Sequence, residues 1–538
     1  MSRTFFTLGA SLSLAITAAV ALSFILPAGA ALIPLFAHQG MPLTFDHLSA
    51  LVSALMFTAT QALLSSLVAI LVGIPAAFLV ARREFPLRRL LLSLSGIPLC
   101  VPPVIVAFAF VLFYGRQGYL NTVLQALTGA VDPPITFLYS LWGVVLAHGL
   151  YNFPVVLRAV SQIWERTDPC TEEAAALLGA GRLRILRTVV FPQLAGAVFS
   201  SGALVFLYCF FSFVIVLLFG GIGGTSLEVE LFQAARSDLN FRYAALVALT
   251  ETLAGLGIVL AYVRIEGQLS SRSSRAPQLR PRHRLHGTGE LCFSIAYLLS
   301  VAVFFLGPLV SVVCRSLSIV PSGTISLSLL RAPWQTLFSR PSFFRSLGTT
   351  VWVSSCAAFL STIAALSLTL LVGRSRSAVT RVLPLVPLAV SSVMLGFGWI
   401  VLAPRMGVCT LVLAQASLSL PFAWTQIRAS FDRIPVALDE GAALLSTSSL
   451  DRQFRVRLPL VARGIQSAFA LSFAIACGDA TLPLVLSLDR FENLSLLVYR
   501  LAGSYRFAEA SAAAVFLALL SSLVFFLQDG QSKVEDVR

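Results

Sequence analysis

The chain has 538 residues, of which 57% are hydrophobic and 12% charged, with a mean hydropathy of +0.88. Soluble domains carry about 25% charged residues, so this supply cannot cover a water-facing surface; a cytosolic enzyme, a secreted disulfide scaffold and a disordered protein are excluded. The 38 basic against 24 acidic residues leave a net charge of +14, the kind of excess that cytoplasmic loops of membrane proteins collect. No basic stretch is interleaved with aromatics, so no nucleic-acid partner is expected.

Apolar runs longer than about 18 residues recur along the chain, as bilayer-spanning helices do. The expected fold is an all-α polytopic membrane protein with about 12 transmembrane helices. In chain order the spans read 9–37, 49–81, 90–113, 138–163, 190–221 and 242–263, then 291–314, 346–373, 382–403, 406–427, 459–488 and 507–527. The first resembles a signal peptide in Arg3 and Ala28-Gly29-Ala30. Its apolar run continues to Phe36, however, beyond the usual 7–15 residues, so a retained helix is expected. Arginines crowd the segments after spans 2, 4 and 6, including Arg82, Arg83, Arg166, Arg182 and Arg264. This places the N-terminus in the cytoplasm. Arg331, Arg340 and Arg345 would then lie outside. The stretch 266–289 is polar, basic and rich in Ser, a linker between a first module, 1–265, and a second, 290–538.

The two halves repeat in parallel. Leu146, Ala147 and Pro154 recur as Leu413, Ala414 and Pro421, 267 positions on; Pro98, Leu99, Val101, Val104 and Phe108 recur as Pro387, Leu388, Val390, Val393 and Phe397, 289 positions on. The changed offset predicts a longer external segment near 114–137 in the first half. Parallel repeats imply a pseudo-two-fold axis along the membrane normal and a central path.

Between the fourth and fifth spans of each half lies a segment of another kind, 168–192 and 435–459. In the first, Asp168 suits a helix N-cap and Pro169 the first turn. Glu172 and Glu173 suit the positive end of the dipole, and Gly179 suits a left-handed C-terminus. A second short segment, 182–190, precedes Pro192. In the second, Pro435 and Glu440 lead to Ala442 and Ser446, and Pro459 follows Glu440 by the 19 positions that separate Glu173 from Pro192.

These loops resemble the signature loop of ABC importer permeases: Glu-Ala-Ala, three residues, Gly, nine residues, Ile-x-Leu-Pro. Glu173, Ala174, Ala175, Gly179 and Pro192 match in the first copy, with Val189 and Phe191 replacing Ile and Leu. Glu440, Ala442, Leu458 and Pro459 match in the second, which departs at Gly441 and Ser446. The resemblance covers nearly the whole chain as two fused six-helix permease modules. It implies that each loop helix is a coupling helix docked on one of two copies of a separate ATPase, which binds ATP and Mg²⁺. It further implies a solute-binding protein on the outer face, alternating access, and a bacterial inner-membrane location among lipid. Ser446 in place of Gly predicts a different helix ending in the second loop.

The residue inventory agrees with a separate ATPase. The single lysine, Lys533, cannot form a Gly-Lys-Ser/Thr phosphate loop. The eight cysteines form no C-x-x-C pair, and no cluster suggests a metal or catalysis. No cofactor is expected in this chain. Within the spans, Asp479 and its repeat partner Ser212 are candidate gate residues, with helix capping the alternative for Asp479. Glu251 is a candidate for the path or for pairing with an arginine. His148 and Gln415 are expected to be satisfied inside.

Tyr114-Gly115-Arg116-Gln117-Gly118-Tyr119-Leu120, Leu146-Ala147-His148, Asn152-Phe153-Pro154 and Phe211-Ser212-Phe213 resemble the permeases of thiamine (vitamin B1) importers. A fused ferric-iron importer permease shares the architecture and is the alternative. A twelve-helix secondary transporter is the alternative from another class, although Ala81-Arg82-Arg83-Glu84-Phe85-Pro86 lacks the Gly/Asp/Arg loop usual there.

Overall fold

A computed structural model describes residues 2–37, 42–85, 88, 91–92, 101–167, 169–219, 224–270, 283–284, 288–319, 327–373, 383–403, 407–446 and 449–535. Asp168, Pro98, Leu99 and most of the 266–289 linker lie outside these. Among the described residues ten helices are long and apolar enough to cross a membrane. Shorter apolar helices, Ser392–Leu402 and Phe507–Leu523, cover the other two expected spans.

The first half runs α1 (Ser2–Ala30), α2 (Ile33–Phe36), α3 (Phe45–Arg82), β1 (Arg83–Glu84), α4 (Pro103–Tyr114), α5 (Tyr119–Thr128), α6 (Leu141–Trp164), α7 (Pro169–Leu177), α8 (Phe191–Phe210), α9 (Val214–Phe219), α10 (Leu227–Arg236) and α11 (Phe241–Ser270). The second runs β2 (His283–Arg284), α12 (Thr288–Val301), α13 (Gly307–Ser316), α14 (Leu327–Phe338), α15 (Pro341–Val372), α16 (Ser392–Leu402), α17 (Val408–Asp432), α18 (Val436–Leu445), α19 (Leu458–Gly478), α20 (Thr481–Leu486), α21 (Leu494–Gly503) and α22 (Phe507–Glu535). Helix α11 extends into the expected linker, and β2 pairs in parallel with β1, Arg83 opposite His283. An Arg83–Glu290 ion pair fixes the same junction.

Each half is built on one long, small-residue helix. Helix α3 starts at Thr44, whose hydroxyl accepts from His47 N while His47 Nδ1 accepts from Thr44 N. Its 38 residues span about 57 Å, well beyond a bilayer core of about 30 Å. Its buried stripe is Ala54, Thr58, Ala62, Ser65, Ala69, Gly73 and Ala76. Lipid tails are as apolar as Leu, so helices associate in a membrane by close approach of small residues rather than by hydrophobic burial. Helix α6 exploits that approach: a Cβ on Gly149 would lie 2.5 Å from Val68 Cγ1, and one on Gly73 would lie 2.7 Å from Val156 Cβ. Helix α15 repeats the stripe with Ser346, Thr350, Ser354, Ala357, Ser361 and Ala364 and packs against α17 and α19.

The halves exchange their first helices. Helix α1 packs against α15, α16 and α17 of the second half. Ser23 Oγ donates to Leu413 O at 3.2 Å, and Gly398 leaves room for the Pro27 carbonyl. Reciprocally, Tyr297 at the start of the second half donates to Val72 O at 2.6 Å. Tyr114 donates to Phe304 O, and Phe305 meets Phe153 edge-on.

The spans expected at 190–221 and 459–488 are not continuous helices. Helix α8 stops at Phe210 and resumes as α9; α19 stops at Gly478 and resumes as α20. Hydropathy runs unbroken through the first break, while Gly478-Asp479 marks the second in the sequence.

Gly149→Val is expected to overpack the α3–α6 contact at a cost of about 1–3 kcal/mol. Thermal unfolding in detergent should show a melting temperature several degrees lower.

Candidate functional site

At one end of the bundle sit α7 and α18. Helix α7 ends in the geometry its glycine allows. Gly179 has φ +80°; Ala180 N donates to Ala175 O and Gly179 N to Ala176 O, both at 3.0 Å. This is the paired-bond ending that a left-handed residue closes. Helix α18 ends on Ser446 in extended conformation, φ −82° and ψ 137°, its N–H and hydroxyl both donating to Ala442 O. The two loops therefore do end differently.

The loops share a feature that sequence reading missed. In the first, the Arg82 guanidinium pairs with Glu172 and lies over the Trp164 ring at 5.9 Å. In the second, Arg457 donates twice to Asp439, 2.8 Å each, and lies over Phe431 at 5.4 Å. Trp164 and Phe431, like Glu172 and Asp439, are 267 positions apart. The arginines are not equivalent: one ends α3, the other precedes α19. The same offset could have found the acids; it could not have found their partners. Bidentate Arg–carboxylate geometry fixes orientation as well as adding energy.

Glu173 and Glu440 are exposed, and so are Ala174 and Gly179; Ala175, Ala442 and Ser446 are half-buried. Beside them are Leu177, Leu178, Leu444 and Leu445, each between 87% and 90% exposed. Two adjoining exposed leucines at the end of each loop helix make a matched pair of apolar patches. Pro192 and Pro459 open the first turns of α8 and α19, each after a wide π-type turn.

The second element of the site is a cavity of about 390 Å³ between the halves. It is bounded by α6 with the α8–α9 break, by α17 with the α19–α20 break, and by the N-terminal ends of α4 and α16. Ser212 and Asp479 both line it, as do His148 and Gln415. The polar pairs are pseudo-symmetric: His148 Nε2 meets Ser212 Oγ at 2.7 Å, and Gln415 Nε2 donates to Asp479 Oδ2 at 3.0 Å. Gln61, another residue the sequence reading missed, holds His148 Nδ1 at 3.0 Å and donates to Cys209 O at 2.7 Å. Asp479 also caps α20, its Oδ1 accepting from Thr481 N at 2.9 Å and Leu482 N at 3.3 Å. Capping and cavity lining are thus both its geometry.

Glu251 stands apart from the cavity lining. It is 1% exposed, and neither carboxyl oxygen has a hydrogen-bond partner; no arginine pairs with it among the described residues. No group of His, Cys, Asp and Glu there could hold a metal ion.

Residues 69–275 match the family model for the inner membrane component of binding-protein-dependent transport systems. Over 211 residues the chain is 30% identical to the putative 2-aminoethylphosphonate transport system permease protein PhnU of Salmonella typhi, covering 39% of this chain and 73% of that one. The chain belongs to this permease family. It is also similar along most of its length to the thiamine transport system permease protein ThiP of Brucella abortus (strain 2308), 27% identical over 488 residues, 88% of this chain and 86% of that one. The protein of that name in Escherichia coli (strain K12) is 26% identical over 486 residues, 87% of each. The permease is thus an inner-membrane, multi-pass subunit of an ABC importer rather than an enzyme.

Arg457→Ala should loosen α18 by removing both hydrogen bonds to the Asp439 carboxylate, at a cost of roughly 1.5–3 kcal/mol. Hydrogen exchange at 436–445 is expected to speed up, while Arg82→Ala should loosen α7 instead.

Proposed function

We propose that this permease moves thiamine inward from an extracytoplasmic solute-binding protein, powered by two copies of a separate ATPase docked on α7 and α18. The observation that carries the cargo is the similarity to permeases named for thiamine transport, over 86–87% of their length. The observation that supports the coupling is the pair of loop helices, each offering two exposed leucines beside Glu173 or Glu440. ATP and Mg²⁺ would bind the partner, not this chain.

The geometry gives the work a direct route. Each loop helix leads through a π-type turn into α8 or α19, and each of those helices ends at a break facing the cavity. The Arg82 and Arg457 clamps fix the loop helices to the bundle, so a pull on α7 and α18 is delivered to the helices that line the path. Bringing the two ATPase copies together would then switch access to the cavity from one face of the membrane to the other. Ser212 and Asp479 stand at the moving ends as gate residues, with Glu251, buried outside the cavity lining, a further candidate for the path. The arginines at the loop-helix end support a cytoplasmic position for that end and for the N-terminus. The residues 1–265 and 290–538 act as two modules joined by 266–289.

Gentle purification from native membranes should bring down an ATPase at two copies per chain. Proteoliposomes holding the complex and the binding protein should import labelled thiamine only with ATP. Import of ferric iron in place of thiamine would overturn the cargo, and uptake without ATP would overturn the coupling.

Leu178→Asp and Leu445→Asp should each cut thiamine-stimulated ATPase by roughly five- to thirtyfold, the loss of one interface anchor. Glu173→Ala should cost more than Glu440→Ala, because the second helix ends differently; equal losses would show the two docks to be equivalent.

A further inference from the structure

We infer that the central cavity is a resting site for an organic cation carrying an N–H donor, with Asp479 as its counter-charge and Gln415 Oε1 as its acceptor. The inference deepens the transport reading and rests on it only for the cavity's place on the route.

Four observations converge. The cavity, about 390 Å³, is of small-molecule size. Its walls include Tyr151, Tyr208, Phe211 and Phe422, whose faces attract a desolvated cation. No lysine or arginine lines it among the described residues. Gln415, only 3% exposed, spends its Nε2 on Asp479 and on Ala476 O, which leaves Oε1 buried without a donor. A buried acceptor is rarely left unpaired, and a cargo N–H entering from the cavity would satisfy it.

The charge is one-sided. Three N–H groups donate to Asp479, an arrangement suited to a carboxylate. Glu228, 1% exposed and with both oxygens unpartnered, is a further buried acid outside the cavity lining. The repeat partners of Asp479 and Glu228 are Ser212 and Ser495. Symmetry supplied the cavity, and each half carries one acid, Glu228 in the first and Asp479 in the second, where the other half has a serine. An anion entering here would meet the acid Asp479 and, among the described lining residues, no base but His148; a cation meets a counter-charge.

The test is equilibrium binding of labelled thiamine to the permease–ATPase complex in nanodiscs, without binding protein. Asp479→Asn keeps an oxygen to cap α20 but removes the charge. The wild type is expected to bind one thiamine per permease. The variant should bind at least tenfold more weakly with an unchanged melting temperature, and Asp479→Glu should recover part of the loss. If Asp479→Asn unfolds, Gln415→Leu, which keeps the charge and removes the acceptor, carries the test with the same expected direction. No binding by the wild type, or wild-type binding by the folded variant, would overturn the inference while leaving thiamine import standing. Binding without import would instead overturn the transport reading alone.

Discussion

Inside a bilayer every backbone N–H and C=O must find its partner within the protein, and the rest of this structure follows from how two broken spans meet that demand. Where α8 and α19 stop, side chains take over. Gln61 caps the Cys209 carbonyl, and Gln415 that of Ala476. Beyond each break a short helix, α10 or α21, must begin at membrane depth. Its first N–H groups are met by Thr58 and Ser226 in one half and by Thr350 and Asn493 in the other. The breaks are therefore held in place, and because irregular backbone is tolerated where it lines a cavity, the cavity lies between them.

The two halves solve this problem with the same positions and different chemistry. His148 and Ser212 form a neutral pair; Gln415 and Asp479 form a charged one. The loop-helix clamps show the same freedom, since a guanidinium sits between an aromatic ring and an acid in both halves but arrives from different helices. What the repeat preserves is a place in space for a polar contact, not the residues or the charge that supply it.

This explains what could be read in the sequence. The 267-residue offset, the two loop helices, the left-handed Gly179 and the different ending at Ser446 all rest on local rules, and the structure has them. The break at Phe211 was hidden because hydropathy runs through it unchanged; the one at Asp479 was marked by Gly478-Asp479 itself, which caps the next helix. The Arg457 clamp was hidden because its counterpart Arg82 lies outside the repeat register. The exchange of first helices was hidden for a deeper reason: in lipid, an apolar face carries no mark of which partner it will meet.

That exchange decides how the chain comes to be assembled. Helix α1 leaves the ribosome first, yet the helices it packs against, α15 to α17, begin more than 300 residues later. Until they arrive it has lipid on the face they will cover. Helix α12, by contrast, enters a membrane that already holds Val72 and the rest of its landing surface. The two halves are thus made in an order that lets the second dock on the first at once, while the first is completed only by the second. A half-length chain would not be a smaller permease but an unfinished one, with one side of its bundle still waiting for protein.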